Sequence, residues 1–202
     1  MHWAFWVILA FLCGSIPFSV WLGQIFFKVD VRRYGDGNPG AVNAYKAGNK
    51  LFGLLVLLLD VSKAAVPVGL AYYNYDIRGF PLVLIAIAPV LGHAYSPFLR
   101  FRGGKAIAAV LGVWIGLTLW KASLAGVILT LVGYALTVVS GWAVMLGLAG
   151  ILLVLLFWIA DKYLLLVWVG VTLILIWKHK TDLAQFPQLR PWIRKILFPS
   201  EK

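Results

Sequence analysis

Acidic residues are scarce in this chain. Its 202 residues include seven Asp and Glu against 18 Lys and Arg, and charged residues of all kinds make up 12%. The few carboxylates are dispersed along the chain, which excludes a carboxylate-bound metal centre. We therefore expect neither a metal ion nor a metal-dependent mechanism.

Cysteine and the motifs of covalent catalysis are also lacking. The one cysteine, Cys13, allows no disulfide framework and no cysteine-based metal site. No G-x-S-x-G motif is present, and neither His93 nor His179 is followed by Asp four or five positions later. These absences argue against a covalent intermediate, and we expect no cofactor.

Long hydrophilic stretches are rare, because apolar residues make up 62% of the chain and the mean hydropathy is +0.92. A helix needs about 20 apolar residues to span a bilayer. The sequence therefore predicts an all-α, polytopic membrane bundle of about seven transmembrane helices. The predicted spans are 3–27, 51–73, 80–99, 106–120, 122–139, 142–160 and 162–177. The fourth and the seventh are short, so five or six spans remain open.

Three polar segments interrupt the apolar chain, at residues 28–50, 92–105 and 177–182, and each contains Lys or Arg. If the N-terminus lies outside and the C-terminus in the cytoplasm, all three segments and most basic residues are cytoplasmic, as the positive-inside rule requires. The basic residues form no continuous stripe, so they indicate anionic lipid and not nucleic acid as the partner. We expect a multi-pass protein of the cell membrane whose polar segments converge on one anion site.

The chain divides near residue 182. Residues 1–182 hold the predicted spans and their loops, and 183–202 form a basic tail in which Trp192 and Ile193 alternate with Arg190 and Arg194. This mixture is typical of a segment lying along the membrane interface. The sequence predicts one transmembrane domain and one interfacial cytoplasmic tail.

The first polar segment combines glycines with amide and cationic side chains. Glycines let backbone N–H groups approach a ligand closely, and amides and cations supply further donors. The residues of this candidate phosphate cradle are Arg33, Gly35, Gly37, Asn38, Gly40, Asn43 and Lys46. The same residue types build ordinary turns, so a plain connector remains equally open.

The second polar segment places Gly103 and Gly104 directly before Lys105, which opens the fourth predicted helix. Backbone donors and the helix dipole favour an anion there, although the segment does not match a P-loop. His93 stands at the end of the preceding span, where it is either a structural residue or a catalytic one.

Two further features have competing interpretations. Lys178, His179 and Lys180 form either a basic anchor after the last span or part of a site, with His179 and Asp182 spaced to form an oriented imidazole. Asp60 and Lys63 lie within the second span at a spacing that places them on one helix face. We interpret them as a structural ion pair that supports the site, although charges inside a membrane are also typical of functional residues.

A series of motifs runs in order along the chain. They are Gly14-Ser15-Ile16-Pro17, Asp30-x-Arg32, Gly35-x-Gly37-Asn38-x-Gly40-x-x-Asn43, Asp60-x-x-Lys63, Gly92-His93, Phe101-Arg102-Gly103-Gly104-Lys105 and Lys178-His179-Lys180. With these motifs at this spacing in a chain of this length, the protein resembles the bacterial acyl-phosphate:glycerol-3-phosphate acyltransferase family, which consists of small polytopic enzymes of phospholipid biosynthesis. The resemblance runs nearly end to end.

The resemblance implies transfer of a fatty acyl group from acyl-phosphate to the 1-hydroxyl of glycerol 3-phosphate, giving lysophosphatidic acid and phosphate at a bacterial plasma membrane. The soluble enzyme that makes acyl-phosphate is a further implied partner. Because acyl-phosphate is already activated, positioning and charge stabilisation suffice. We assign Lys105 and His93 to catalysis. We assign the binding of phosphate or substrate to the candidate cradle of the first segment and to five further residues: Arg102, Gly103, Gly104, Ser140 and His179.

Four positions depart from the family pattern, which favours Ser at Asp36, Thr at Val42, Gly at Ala106 and Thr at Ala109. Asp182 likewise stands where the family favours Asn. A carboxylate at position 36 repels phosphate unless it is paired, and we expect Arg33 or Lys46 to pair with it. The alternatives are a substrate-altered or catalytically idle paralogue, or a small-anion transporter using the same cationic site.

Overall fold

The protein folds as a set of helices, and the computed structural model describes residues 2–197. Its longer helices are α1 (Trp3–Ser15), α4 (Lys50–Gly69), α5 (Phe80–Ala94), α6 (Ile107–Thr118), α7 (Lys121–Leu136), α8 (Ser140–Val154) and α9 (Lys162–Lys178). The shorter ones are α2 (Phe18–Leu22), α3 (Ala41–Ala47), α10 (Lys180–Leu183) and α11 (Pro191–Leu197). Within the described residues, β-structure is limited to one isolated bridge between Thr137 and Leu189.

Four helical stretches are long and apolar enough to cross a membrane: Trp3–Phe27, Lys50–Asn74, Phe80–Leu99 and Ser140–Ile159. Each matches a predicted span to within a few residues. The predicted spans 106–120, 122–139 and 162–177 also form helices, over 107–118, 121–136 and 162–178. The structure therefore has a helix at each of the seven predicted positions, and four of them have the length that a bilayer requires.

The first of these stretches is broken at Pro17. Helix α1 ends at Ser15, because a residue that precedes proline avoids the helical conformation. The break exposes two carbonyl oxygens, and side chains from the loop after α5 and from α4 satisfy them. Ser96 Oγ donates to Ser15 O at 2.6 Å, and Lys63 Nζ donates to Ile16 O at 2.8 Å. The second polar segment is thereby joined to the broken first helix.

Glycines allow the helices around this break to pack backbone to backbone. A Cβ at Gly14 would collide with the backbone of Pro89 on α5. Gly112 on α6 packs in the same way against the carbonyl of Val61 on α4, with Gly116 one turn further along. Such close approaches are typical of helix pairs in membranes. They hold the polar ends of α1, α4, α5 and α6 near one another.

The segment after α10 is joined to the turn between α7 and α8. Val138 N donates to Gln188 O at 3.0 Å, and Arg190 Nε donates to Tyr134 O at 2.7 Å. Helix α11 follows, with Trp192 and Arg194 exposed. The predicted tail therefore begins as a segment attached to the bundle, and its last residues, 198–202, lie outside the described residues.

Candidate functional site

The three polar segments meet at Lys105. Its backbone N–H donates to Asn38 Oδ1 of the first segment at 2.8 Å. Its ammonium group lies 3.1 Å from Asp36 Oδ2 and 3.2 Å from Asp182 Oδ2, which follows the third segment's lysines. The predicted convergence of these segments is therefore present in the structure, and we call the group around Lys105 the polar site.

The first segment is folded around the carboxylate of Asp36. Gly35 and Gly37 adopt left-handed φ values of 59° and 76°, which an L side chain disfavours. Asp36 Oδ1 accepts hydrogen bonds from Asn38 N at 3.2 Å and from Asn43 Nδ2 at 2.9 Å. A Cβ at Gly35 would collide with the side chain of Asn43. Glycine is therefore required here to close the turn, and Asn43 is buried within it.

The two glycines of the second segment bring the chain against the end of α5. Gly104 N donates to His93 O at 3.0 Å, and a Cβ at Gly104 would meet His93 Nε2. A Cβ at Gly103 would meet the backbone of His93 and Ala94. Helix α6 begins at Ile107 and not at Lys105 as predicted, because Ala106, directly before it, adopts a left-handed φ of 63° that a right-handed helix does not contain. These two glycines therefore allow the loop before α6 to pack closely against the end of α5.

Lys178 holds this arrangement from the third segment. Its ammonium group donates to Ala94 O at 3.0 Å and to Gly103 O at 3.2 Å, and it lies over the ring of Tyr95. It thus satisfies the carbonyl of Ala94, at the C-terminal end of α5, and that of Gly103 in the loop before α6. Sequence reasoning left Lys178 open between a basic anchor and part of a site, and it gave no signal of these contacts.

The third segment contributes Asp182 to the polar site, but His179 does not form a hydrogen bond with it. Ser140 Oγ, at the start of α8, donates to Asp182 Oδ2 at 2.7 Å. His179 is fully buried and its Nδ1 contacts Leu175 O at 2.9 Å, one helical turn back. The predicted hydrogen bond between His179 and Asp182 is therefore wrong, since Ser140 and Lys105 occupy the carboxylate and Leu175 occupies Nδ1.

The charges of the polar site stabilise one another. Burial by itself lowers the pKa of Lys105, but hydrogen bonds to Asp36 and Asp182 outweigh it and leave that pKa raised. Burial by itself raises the pKa of each carboxyl, and the donors around them reverse the effect. The pKa of Asp36 is lowered by Asn38, Lys105 and Asn43, and that of Asp182 by Ser140 and Lys105. All three groups are therefore charged near neutral pH.

The partner expected for Asp36 was wrong. Arg33 and Lys46 are exposed and form no ion pair with any described residue, whereas Lys105 reaches Asp36 from the second segment. The turn at Gly35 and Gly37 explains this outcome, because it directs the carboxylate towards Lys105. Arg102 is likewise exposed and makes no ion pair within residues 2–197. The structure brings together the amides, His93 and Lys105, and leaves these three cations on the surface around them.

A pocket of about 190 Å³ opens beside Lys105. Its polar side contains Asn38, His93 and Lys105 together with the first turn of α6, whose N-cap, Ala106, offers no side-chain acceptor. Its other side contains the aliphatic side chains of Leu57 and Leu111. Free N–H groups at a helix N-terminus attract anions. The pocket therefore has a polar end, at Lys105 and the first turn of α6, and an apolar end.

Asp60 also lines this pocket, and Lys63 is its ion-pair partner. Their side chains are buried and form an ion pair at 2.6 Å, and His93 Nδ1 lies 3.9 Å from the same Asp60 oxygen. Lys63 also binds the carbonyl of Ile16 at the break in the first helix. Within the described part of the chain, no group of three or more His, Cys, Asp or Glu is suited to a metal ion.

Comparisons with known proteins agree with this geometry. The family model described as glycerol-3-phosphate acyltransferase matches residues 4–188. A protein of that name from Methylobacillus flagellatus is 39% identical over 207 residues, covering 100% of this chain and 96% of the relative. Another, from Anaeromyxobacter sp. (strain Fw109-5), is 43% identical over 148 residues, which is 71% of each chain.

Two crystal structures are also similar. One is PlsY (YgiH), an integral membrane glycerol 3-phosphate acyltransferase, in its glycerol 3-phosphate form. It superposes with a TM-score of 0.84 at 28% identity and covers 97% of this chain and 98% of that one. The lysophosphatidic acid form of PlsY superposes with a TM-score of 0.79 at 26% identity, covering 99% and 94%.

Proposed function

This chain belongs to the glycerol-3-phosphate acyltransferase family, and we propose that it transfers a fatty acyl group from acyl-phosphate to the 1-hydroxyl of glycerol 3-phosphate at the pocket beside Lys105. It is an all-α integral membrane acyltransferase of phospholipid synthesis that produces lysophosphatidic acid. Acyl-phosphate as the donor, and the residues that bind each substrate, are our proposals.

The two-ended pocket is the observation that supports this assignment. An acyl-phosphate has a charged head and an apolar chain, and the pocket has a polar end at Lys105 and Asn38 and an apolar end at Leu57 and Leu111. We place the phosphate group at Lys105 and the first turn of α6, where an ammonium group and N–H donors complement it. The acyl chain then extends past Leu57 and Leu111 towards lipid.

The chemistry in this arrangement needs no covalent enzyme intermediate. The 1-hydroxyl oxygen of glycerol 3-phosphate attacks the acyl carbonyl carbon, and a new ester C–O bond forms. The bond between that carbon and the phosphate oxygen breaks, and phosphate leaves with the electron pair and takes up the hydroxyl proton. Lys105 and the α6 amides stabilise the charge that develops on the departing phosphate.

We place His93 at the pocket wall as an orienting or proton-accepting group for the acceptor hydroxyl. It lines the pocket, Gly104 packs against its ring, and its Nδ1 lies 3.9 Å from Asp60 with no hydrogen-bond partner among the described residues. Arg33, Lys46 and Arg102 are exposed cations around the site and are suited to the first electrostatic encounter with phosphate. Ser140 acts through Asp182, and His179 packs beneath the site.

The orientation follows from the positive-inside rule. We propose seven transmembrane helices with the N-terminus outside and the C-terminus in the cytoplasm, because the polar segments and most basic residues share one end of the bundle. Residues 1–182 then form the catalytic membrane domain and 183–202 an interfacial tail. In this orientation the site faces the cytoplasm, where a soluble enzyme making acyl-phosphate can supply the donor.

Phosphate release tests the proposed reaction. The purified protein in lipid is given acyl-phosphate with and without glycerol 3-phosphate, and acyl-CoA and acyl-carrier protein are tested as alternative donors. We expect phosphate release that depends on the acceptor and equals the lysophosphatidic acid formed. Acceptor-independent release, or product formed only from another donor, would overturn the assignment of the donor.

A further inference from the structure

Lys105 is already neutralised within the protein. Two carboxylates approach its ammonium group, Asp36 at 3.1 Å and Asp182 at 3.2 Å, so the local charge of the three side chains together is negative. A phosphate group that approaches Lys105 therefore meets both carboxylates at short range. Electrostatic repulsion at such distances opposes phosphate binding unless a carboxylate moves away.

We propose that Asp36 and Asp182 act as internal competitors for Lys105, so that a substrate phosphate must displace at least one of them to bind. The pair then determines how strongly the site discriminates between phosphate-bearing substrates. This inference rests on the proposed function, because it takes Lys105 as the phosphate-binding cation.

The other contacts of the two carboxylates show how displacement can occur without loss of the loop. Asp36 keeps hydrogen bonds from Asn38 N and Asn43 through its Oδ1 when its Oδ2 leaves Lys105. Asp182 presents a single oxygen, Oδ2, to both Ser140 and Lys105. Each carboxylate therefore retains a hydrogen-bond partner after Lys105 turns to the ligand, and this keeps the free-energy cost of the exchange low.

The two carboxylates differ in exposure, and this sets how strongly each of them competes for Lys105. The side chain of Asp36 is 54% exposed and that of Asp182 is 21% exposed, against 24% for Lys105. Water screens the Asp36 pair more effectively, and exposed ion pairs contribute little. We therefore expect Asp182 to be the stronger competitor and Asp36 the one that phosphate displaces first.

Isosteric amides isolate the effect of charge. Asp36→Asn and Asp182→Asn keep an oxygen that accepts from Asn43 or Ser140 while removing the negative charge. The binding of inorganic phosphate is measured by calorimetry on the full chain in lipid, at low salt and neutral pH. This needs no turnover. The control is Asp76→Asn, which changes net charge equally at an exposed pair with Arg78 outside the site.

We expect each amide to tighten phosphate binding by about three- to tenfold relative to the control, with the larger gain at Asp182. Adding Lys105→Met should reduce the gain to the smaller effect of relieving charge repulsion alone, because the competition is for that ammonium group. In turnover, the KM values for glycerol 3-phosphate and acyl-phosphate are measured separately, and the KM of the substrate whose phosphate sits at Lys105 should fall.

Amide variants that bind phosphate no more tightly than the Asp76→Asn control, or more weakly, would overturn the inference. The same holds if the full gain persists in the Lys105→Met background. Failure of the proposed reaction has a different signature. A chain that shows the Lys105-dependent gain in phosphate affinity but forms no product from acyl-phosphate supports the competition and contradicts the donor.

Discussion

Asn38 and Lys105 are 67 positions apart, yet the backbone N–H of Lys105 donates to Asn38 Oδ1 at 2.8 Å. This hydrogen bond connects the glycine-rich first segment to the residue that carries the site's central charge. It also orients the chain immediately before α6, so that the first turn of that helix faces the pocket. The hydrogen bond thus ties the first segment to the N-terminal end of α6.

We expect Asn38→Ala to lower kcat/KM by about tenfold or more, since misplacing a positioned group by a fraction of an ångström is costly. Initial rates of lysophosphatidic acid formation measure the effect. Asn49→Ala is the matched control, because Asn49 caps α4 through Phe52 N outside the pocket. That control should lose about 1 kcal/mol of stability at most and keep its activity. Equal losses of activity in both variants would contradict the role of Asn38.

Gly104→Ala places a methyl group against His93, which is fixed by its backbone and neighbours. We expect a loss of activity of about tenfold, with a stability cost of about 1–3 kcal/mol typical of overpacking. Thermal unfolding and initial rates, measured on the same sample, separate the two effects. Gly170→Ala is the control, because its Cβ would meet only the end of the Ile87 side chain. Full activity in Gly104→Ala would show that the close contact with His93 is dispensable.

Lys63→Met leaves the Asp60 carboxylate buried without its partner and removes the donor to Ile16 O. We expect a destabilisation of about 3–5 kcal/mol, the usual cost of breaking a buried ion pair. The double variant Asp60→Asn, Lys63→Met removes both charges and should recover part of this loss. Thermal unfolding in detergent measures both. If the double variant were as unstable as the single one, the charge of Asp60 would not be the cause.

Acid pH should destabilise the polar site. The pKa values of Asp36 and Asp182 lie below the ordinary 3.8, so their ionised forms stabilise the fold fully above that pH, and this stability disappears as pH falls through the lower folded values. Lys105 has a raised pKa, so its contribution is lost only as pH rises beyond 10.5. Below pH 3.8 we expect the free energy of unfolding of the wild type to fall by about 1 kcal/mol more than that of the double variant Asp36→Asn, Asp182→Asn. Thermal unfolding of both proteins is measured as the pH falls, and equal losses of stability would contradict this linkage.

Hydropathy and motif order were sufficient to predict the helical architecture and the convergence of the polar segments. A span of apolar residues has one stable solution in a bilayer, and short loops leave the chain little choice of direction. The specific partners were not predictable in this way. Asp36 had several cations within reach of its loop, and the choice of Lys105 depends on the turn at Gly35 and Gly37.

Two further features could not be read from the sequence because they depend on tertiary packing. Lys178 looks like any basic residue after a span, and only the position of α9 beside α5 brings it to Ala94 O and Gly103 O. Lys63 similarly binds Ile16 O only because the first helix breaks where α4 passes. In both cases a lysine donates to a carbonyl released at a helix end.

Substitution of Lys105 tests the central claim most directly. Wild type is compared with Lys105→Met, which removes the ammonium group and keeps an unbranched side chain. Both are given acyl-phosphate and labelled glycerol 3-phosphate in lipid, and initial rates of lysophosphatidic acid formation are measured after unfolding curves establish that both are folded. We predict a loss of about 100-fold or more in kcat/KM, the usual effect of removing a group that stabilises transition-state charge, with partial retention in Lys105→Arg. A folded Lys105→Met enzyme with wild-type kcat/KM would contradict the placement of the reaction at this site.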